Sequence, residues 1–263
     1  MIKPIILSIF ALIGISTKAT AQFRFAQEVG IILGPITFQS DYGVRNNYET
    51  NVKNTGFGVG FVHFMNFSNL NNHETFFTEH FKVRSEVSLS QTDLEHFGEW
   101  VQGNPIKLGV RQLKAMTGKT TVAGLGAQLE FSPIPIHRFE NNVGSFSPYM
   151  SLGFLVSYYS AKVGSSLGPL GNPLTTFPKY LVPSDGRPYG FSNETGVVLS
   201  ATAGLGVHYK LTTMSDLMLE GRFQSFSSDW VDGLNPNKQL FKENKANDWQ
   251  VWFNVGYIMY LEY

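Results

Sequence analysis

Ionisable side chains in this chain recur at every second position. Lys82, Arg84 and Glu86 do so in one segment, His208 and Lys210 in another, and Glu220 and Arg222 in a third. Glu28, Glu130 and Glu262 hold comparable places elsewhere, with Gln128 two residues before Glu130. An extended backbone turns alternate residues to one face, so each set shares a face. Carboxylates and cations gathered in this way can do one of two things. Across an enclosed space they pair, because an isolated buried charge is costly; around an open one they make a path for ions.

Three other groupings offer catalytic or ligating side chains. His63 precedes Ser68 and Asn69, and a nucleophile beside a base on a membrane-facing wall would suit deacylation of lipid A. Their separation puts His63 and Ser68 on opposite faces of a continuous strand, however, and no third group orients them, so a histidine near lipid headgroups is the better reading. His73 and His80, with Glu74 and Glu79, present metal ligands at a spacing that matches no metal motif; solvated turn residues explain them. Asp229, Asp232, Asn235 and Asn237 in SSDWVDGLNPN lack the ligand order and closing Glu of a calcium loop, and their composition is that of a turn. The glycines of GFGVG (56–60) lie inside an alternating segment rather than between a strand and a helix, which excludes a phosphate loop. No catalytic set, metal or other cofactor is expected.

The elements that must position these residues are strands. Alternation of apolar and polar residues is predicted over 25–37, 55–67, 79–91, 119–131, 147–161, 195–211, 215–226 and 248–263. Alternation alone suits a soluble barrel as well as a membrane one. Three features separate them. Glycines dot the polar faces, among them Gly30, Gly58, Gly124, Gly204 and Gly256; glycine weakens a strand facing water, but makes room in a narrow lumen. Longer connections (38–54, 92–118, 162–194, 227–247) alternate with shorter ones (68–78, 132–146, 212–214), as external loops and periplasmic turns do in outer-membrane barrels. The third longer connection carries Pro169, Pro173, Pro178, Pro183 and Pro188, which marks a non-helical surface loop able to bind a ligand or cover the barrel mouth. The last segment, VWFNVGYIMYLEY, ends on an aromatic, with Tyr257, Met259, Leu261 and Tyr263 on its apolar face.

Composition agrees. The chain has 26 Gly, 22 Phe and 11 Tyr but only 15% charged residues, against about 25% in soluble domains. Its formal net charge of zero removes an electrostatic case for nucleic acid. It has no cysteine, so no disulfide staples it. Lys3, the apolar run Ile5–Ile15 and the Ala19-Thr20-Ala21 site read as a secretory signal peptide over 1–21, too short to span as a helix. The expected mature unit, 22–263, is therefore an all-β, eight-stranded antiparallel up-and-down transmembrane barrel. Only a closed barrel satisfies the backbone of strands in lipid. Little space remains inside one of this size once side chains are placed, so the paired, plugged lumen is favoured over the ion path.

Ala21-Gln22, the EVGIILGP opening, FSPYMSLGF from Phe146 and SDLMLEGRFQSF from Ser215 make the chain similar to the small outer-membrane barrels of Bacteroidota, over nearly its whole mature length. The E-V-G strand followed by Asp41-Tyr42-Gly43 also resembles the barrel component associated with type IX secretion. The resemblance implies export to the outer membrane and recognition of the terminal strand by the barrel assembly machinery. It also implies contact with outer-membrane lipid, with periplasmic or surface proteins as partners. The expected role is a non-enzymatic surface or envelope protein. A secretion accessory, a narrow pore for polar solutes and a lipid A-modifying enzyme are the rivals.

Overall fold

The computed structural model describes residues 26–44, 47–67, 75–242 and 246–261. The leader read at 1–21, and Ser68, Asn69, His73, Glu74, Glu262 and Tyr263, lie outside them. Eight strands follow in order: β1 (Ala26–Gln39), β2 (Thr55–Asn66), β3 (Phe81–Glu95), β4 (Met116–Phe131), β5 (Phe146–Ser165), β6 (Thr195–Thr212), β7 (Ser215–Phe226) and β8 (Trp249–Tyr260). Each pairs antiparallel with the next, and β1 pairs with β8 through Val29–Met259 and Ile31–Tyr257, closing the barrel. The predicted segments and these strands coincide within a few residues. β4 and β5 run further toward the long-loop end than alternation indicates, pairing as far as Met116–Ser165, because loop residues there continue to cover their inward side chains.

The outward faces carry what water would not tolerate. Leu125 is 63% exposed and Leu152 66%, with Ile31, Phe61, Leu199 and Val255 about half exposed in the same belt. So broad an apolar surface marks a lipid interface. Outward charges on the described strands are confined to one rim, where Asp93, Glu95, Lys119 and Lys162 cluster across β3, β4 and β5, with Lys119 Nζ 3.6 Å from Asp93. The opposite rim is aromatic: Phe77 stacks on Phe81 at 4.9 Å, Phe81 meets Phe131 at 5.1 Å, and Phe146 meets Tyr209 at 4.8 Å. Along β4 the stretch from Phe131 to Lys119 covers about 40 Å, or about 30 Å along the axis at a tilt of about 40°. That matches a hydrocarbon core of about 30 Å. The chain is an outer-membrane barrel, and the longer connections emerge at the charged rim.

Inside, the glycines do what the alternation requires. A side chain on Gly58 would stand 2.7 Å from Ile36 Cδ1 and 2.8 Å from the Trp252 ring, and one on Gly118 would run into the Tyr42 hydroxyl. The lumen is not the polar space expected from those faces, however. Ile32, Ile36, Val62, Phe64, Met218, Trp252 and Ile258 form a buried apolar cluster within it. The inward faces were read as polar because glycine, serine and charge outnumber these residues on them; in a lumen this narrow the apolar members pack on one another as a core does.

Candidate functional site

Strand parity brings the ionisable residues together in the half of the barrel nearer the short turns. Two layers result. In the outer one, Lys82 Nζ lies 2.7 Å from Glu28, Lys210 Nζ 3.2 Å from Asp216, and His208 Nε2 3.1 Å from Glu130. The Tyr260 hydroxyl donates to Asp216 at 2.7 Å, and its ring lies 3.5 Å beneath the Lys210 ammonium. In the inner layer Glu220 takes Arg84 Nη1 and Arg222 Nη2, both at 2.8 Å, together with the Tyr149 hydroxyl at 2.9 Å and Asn254 Nδ2 at 3.1 Å. Arg222 reaches Glu86 at 2.6 Å, and Gln128 links Arg84 to Glu86. Each of these side chains is at least nine-tenths buried, apart from the partly covered Tyr260. Of the residues singled out from sequence for this network, only Glu262 lies outside the description.

Asp216, Tyr149 and Asn254 escaped that reading although parity carries all three. Asp216 stands four residues before Glu220 and so shares its face, but it borders the turn at 213–214 and looks like a turn residue. Tyr149 and Asn254 carry no formal charge.

Both ends of this interior are closed. At the short-turn end the helix Ile136–Glu140 folds inward, burying Ile136 and Phe139, and Asn66 Nδ2 donates to Glu140 at 2.9 Å. At the other end the first residues of the connection after β7 turn back into the mouth. Residues 229–236 are all buried, and the Thr120 hydroxyl donates to the Val231 carbonyl at 2.6 Å from the far wall. The third long connection covers the mouth by pairing with this plug: Ser192 N donates to Gly233 O at 2.8 Å and Asn235 N to Gly190 O at 2.9 Å. Composition identifies the turn at Gly233 (φ 86°), where Asp232 Oδ1 accepts Leu234 N at 2.7 Å. It does not announce that Trp230, Val231 and Leu234 are buried with Phe38, Leu94, Tyr159 and Phe226 in a second apolar core.

At this end lies a cavity of about 850 Å³ to which all four long connections contribute. Asp41 and Tyr42 come from the first, His96, Phe97 and Trp100 from the second, Phe177, Lys179 and Tyr180 from the third, and Asp229, Phe241 and Asp248 from the fourth, where β8 begins with Trp249. Carboxyls crowd one wall. Asp248 Oδ2 accepts Val231 N at 2.9 Å and Asp232 N at 3.1 Å, and Asp232 Oδ2 accepts Asp41 N at 2.9 Å. Burial and then Asp41 push the Asp229 carboxyl up to about 8, and burial with neighbouring aspartates raises Asp232 and Asp248 well above the usual carboxylate range. Burial, helped by Lys179, lowers His96 to about 3, so its imidazole is neutral.

The remaining sequence candidates do not assemble. His63 faces outward near the short-turn rim, its Nε2 3.2 Å from Gln27 Oε1. His80 Nδ1 meets the Ser132 carbonyl at 2.7 Å. Among the described residues no group of three His, Cys, Asp or Glu is placed to hold a metal ion. Tyr257, Met259 and Leu261 face outward, exposed.

No family model and no curated protein matches the chain. Among solved structures it is similar to a major outer membrane protein from Thermus thermophilus (12% identity, 90% of this chain and 99% of that one, TM-score 0.47). It is also similar to Ail, the attachment invasion locus protein of Yersinia pestis (10%, 90% and 99%, 0.44), and to Neisserial surface protein A (10%, 89% and 96%, 0.44).

Proposed function

We propose that this protein is a sealed, non-enzymatic outer-membrane barrel that works by binding at its outer face, in the cavity roofed by its long loops. One observation carries this reading: residues of all four long connections line one cavity, at the end of the barrel whose mouth residues 229–236 fill. A protein that conducted would keep that axis open, whereas one that only anchored itself would not need a shared cavity.

The rivals meet specific obstacles. A lipid A deacylase needs its base at the outer leaflet, whereas His63 stands near the opposite rim, engaged with Gln27. A secretion accessory would act through its short turns, and the turn 132–145 spends Ile136 and Phe139 on closing the lumen. The outward row Tyr257, Met259 and Leu261 on the last strand is the feature that the barrel assembly machinery would read during insertion.

Refolded protein in planar bilayers is expected to give no stepwise conductance at neutral pH. Discrete steps from protein with the heat-modifiable gel mobility of a folded barrel would overturn the sealed lumen.

A further inference from the structure

We infer that the cavity takes an uncharged, lipid-soluble molecule with a flat apolar body, and that its site opens sideways onto the outer leaflet, over the outer end of the β1–β8 seam. This deepens the binding reading above and rests on it.

The polar part of the lining is already engaged. Asp41, Asp229 and Lys179 each have partners within the protein. Asp229 lies 3.4 Å from Lys238, Asp248 accepts two backbone N–H groups, and Lys179 Nζ lies 5.8 Å from the Phe241 ring centroid and 5.9 Å from that of Tyr180. His96 packs against the rings of Tyr42 and Tyr180, 4.6 Å and 6.0 Å away. A charged ligand would shed its water against groups whose partners are already supplied, which is costly. What the lining leaves open is aromatic surface: Trp100, 72% exposed, with Phe97, Phe177 and Trp249 partly covered. Such a wall suits an apolar body of the same kind.

The way in follows from strand parity. Phe38 and Gln250 face the lumen and are buried, so Gln39 and Trp249, paired across the seam, face outward. Both also line the cavity. The Trp249 ring lies 5.1 Å from that of Phe223, which is 42% exposed in the lipid-facing belt. Met259 pairs with Ser215 beside a short turn. From Met259 to Trp249 the strand covers about 33 Å, or about 25 Å along the axis at a tilt of about 40°, which is the height of the apolar band in such barrels. Trp249 therefore stands at the outer edge of the lipid belt and in the cavity wall at once. An apolar molecule dissolved in the outer leaflet meets the aromatic lining there.

The probe is N-phenyl-1-naphthylamine, an uncharged lipid-soluble dye, followed by its fluorescence anisotropy in vesicles holding the refolded full mature barrel, against protein-free vesicles. A saturable rise is expected. 2-Methylnaphthalene should displace the dye at about a tenth of the concentration needed by 2-naphthoate or 2-naphthylmethylamine, because the charged pair must be desolvated. Trp249→Ala and Trp100→Ala should each weaken the dye by about tenfold, as loss of an aromatic anchor does. Gln39→Glu, which sets a charge at the side opening, should weaken it by several-fold, whereas Phe253→Ala, on the lipid-facing wall away from the cavity, should leave it unchanged. Heat-modifiable mobility confirms that each variant is folded. Displacement by a charged probe as readily as by methylnaphthalene, or direct saturable binding of a charged probe alone, overturns the apolar class and leaves a binding cavity standing. Unchanged affinity in folded Trp249→Ala, or in Gln39→Glu should the first not fold, overturns the opening onto lipid. No binding of any of the four compounds overturns both this inference and the binding reading.

Discussion

Glu220→Ala is expected to cost the barrel about 3–5 kcal/mol, the loss typical of breaking a buried ion pair from one side. Glu220 is the hub of the inner charged layer. Its carboxylate receives two guanidinium groups, a tyrosine hydroxyl and an amide, all from different strands or from its own. Alanine removes the acceptor and leaves Arg84 and Arg222 close together, both buried in the lumen. Arg222 keeps Glu86 at 2.6 Å and Arg84 keeps Gln128, so the barrel should still close, with a lower unfolding midpoint. Guanidinium titration in lipid vesicles, followed by tryptophan emission, reads the difference. Adding Arg84→Met should recover part of the loss, because a guanidinium that is absent has no desolvation cost to leave unmet. A Glu220→Ala loss below about 1 kcal/mol would place the network in contact with water.

Leu125→Arg is expected to cost about 2–4 kcal/mol in vesicles, because it sets a charge near the middle of the lipid-facing wall. Leu125 lies midway between the aromatic rim at Phe131 and the charged rim at Lys119, and it is 63% exposed. Arginine two residues from Lys162, Ser160→Arg, should cost about 0–1 kcal/mol, since that position lies near the rim where a long side chain reaches water. In a soluble barrel the order would vanish: an exposed leucine replaced by arginine changes stability by no more than about 0.5 kcal/mol. Comparing the two variants in the same vesicles therefore separates depth in lipid from exposure as such.

The fold was legible because two environments impose a period of two and each strand obeys it. Val83, Val87 and Leu89 outward against Lys82, Arg84 and Glu86 inward needed nothing beyond the pleat. Closure followed from lipid, which leaves no edge unpaired. What the sequence hid is organisation along the axis. Parity tells which face Glu86 or Ile36 occupies but not its height, so the division into charged layers, an apolar middle and a capped mouth could not be read. The cap was hidden for a different reason. Trp230, Val231 and Leu234 sit in a stretch of aspartate, asparagine, glycine and proline that reads as a surface turn. Only the partners supplied by β4 and the third connection, from Thr120 to Gly190, show that the turn is buried. The cavity takes residues from connections far apart in sequence, and no local spacing announces it.

The central claim is an inverted, sealed barrel: apolar side chains face lipid, and the inward row is reached by neither lipid nor water. The chain has no cysteine, so single cysteines along β6 from Val197 to Thr202 can each carry a nitroxide in vesicles. Val197, Leu199 and Ala201 are expected to show high collision rates with oxygen, which partitions into lipid. Val198, Ser200 and Thr202 should show low rates with both oxygen and a water-soluble nickel complex. High nickel access at Ser200 and Thr202 would mean a water-filled lumen, and low oxygen access at Leu199 would mean that this face never meets lipid; either result would contradict the account.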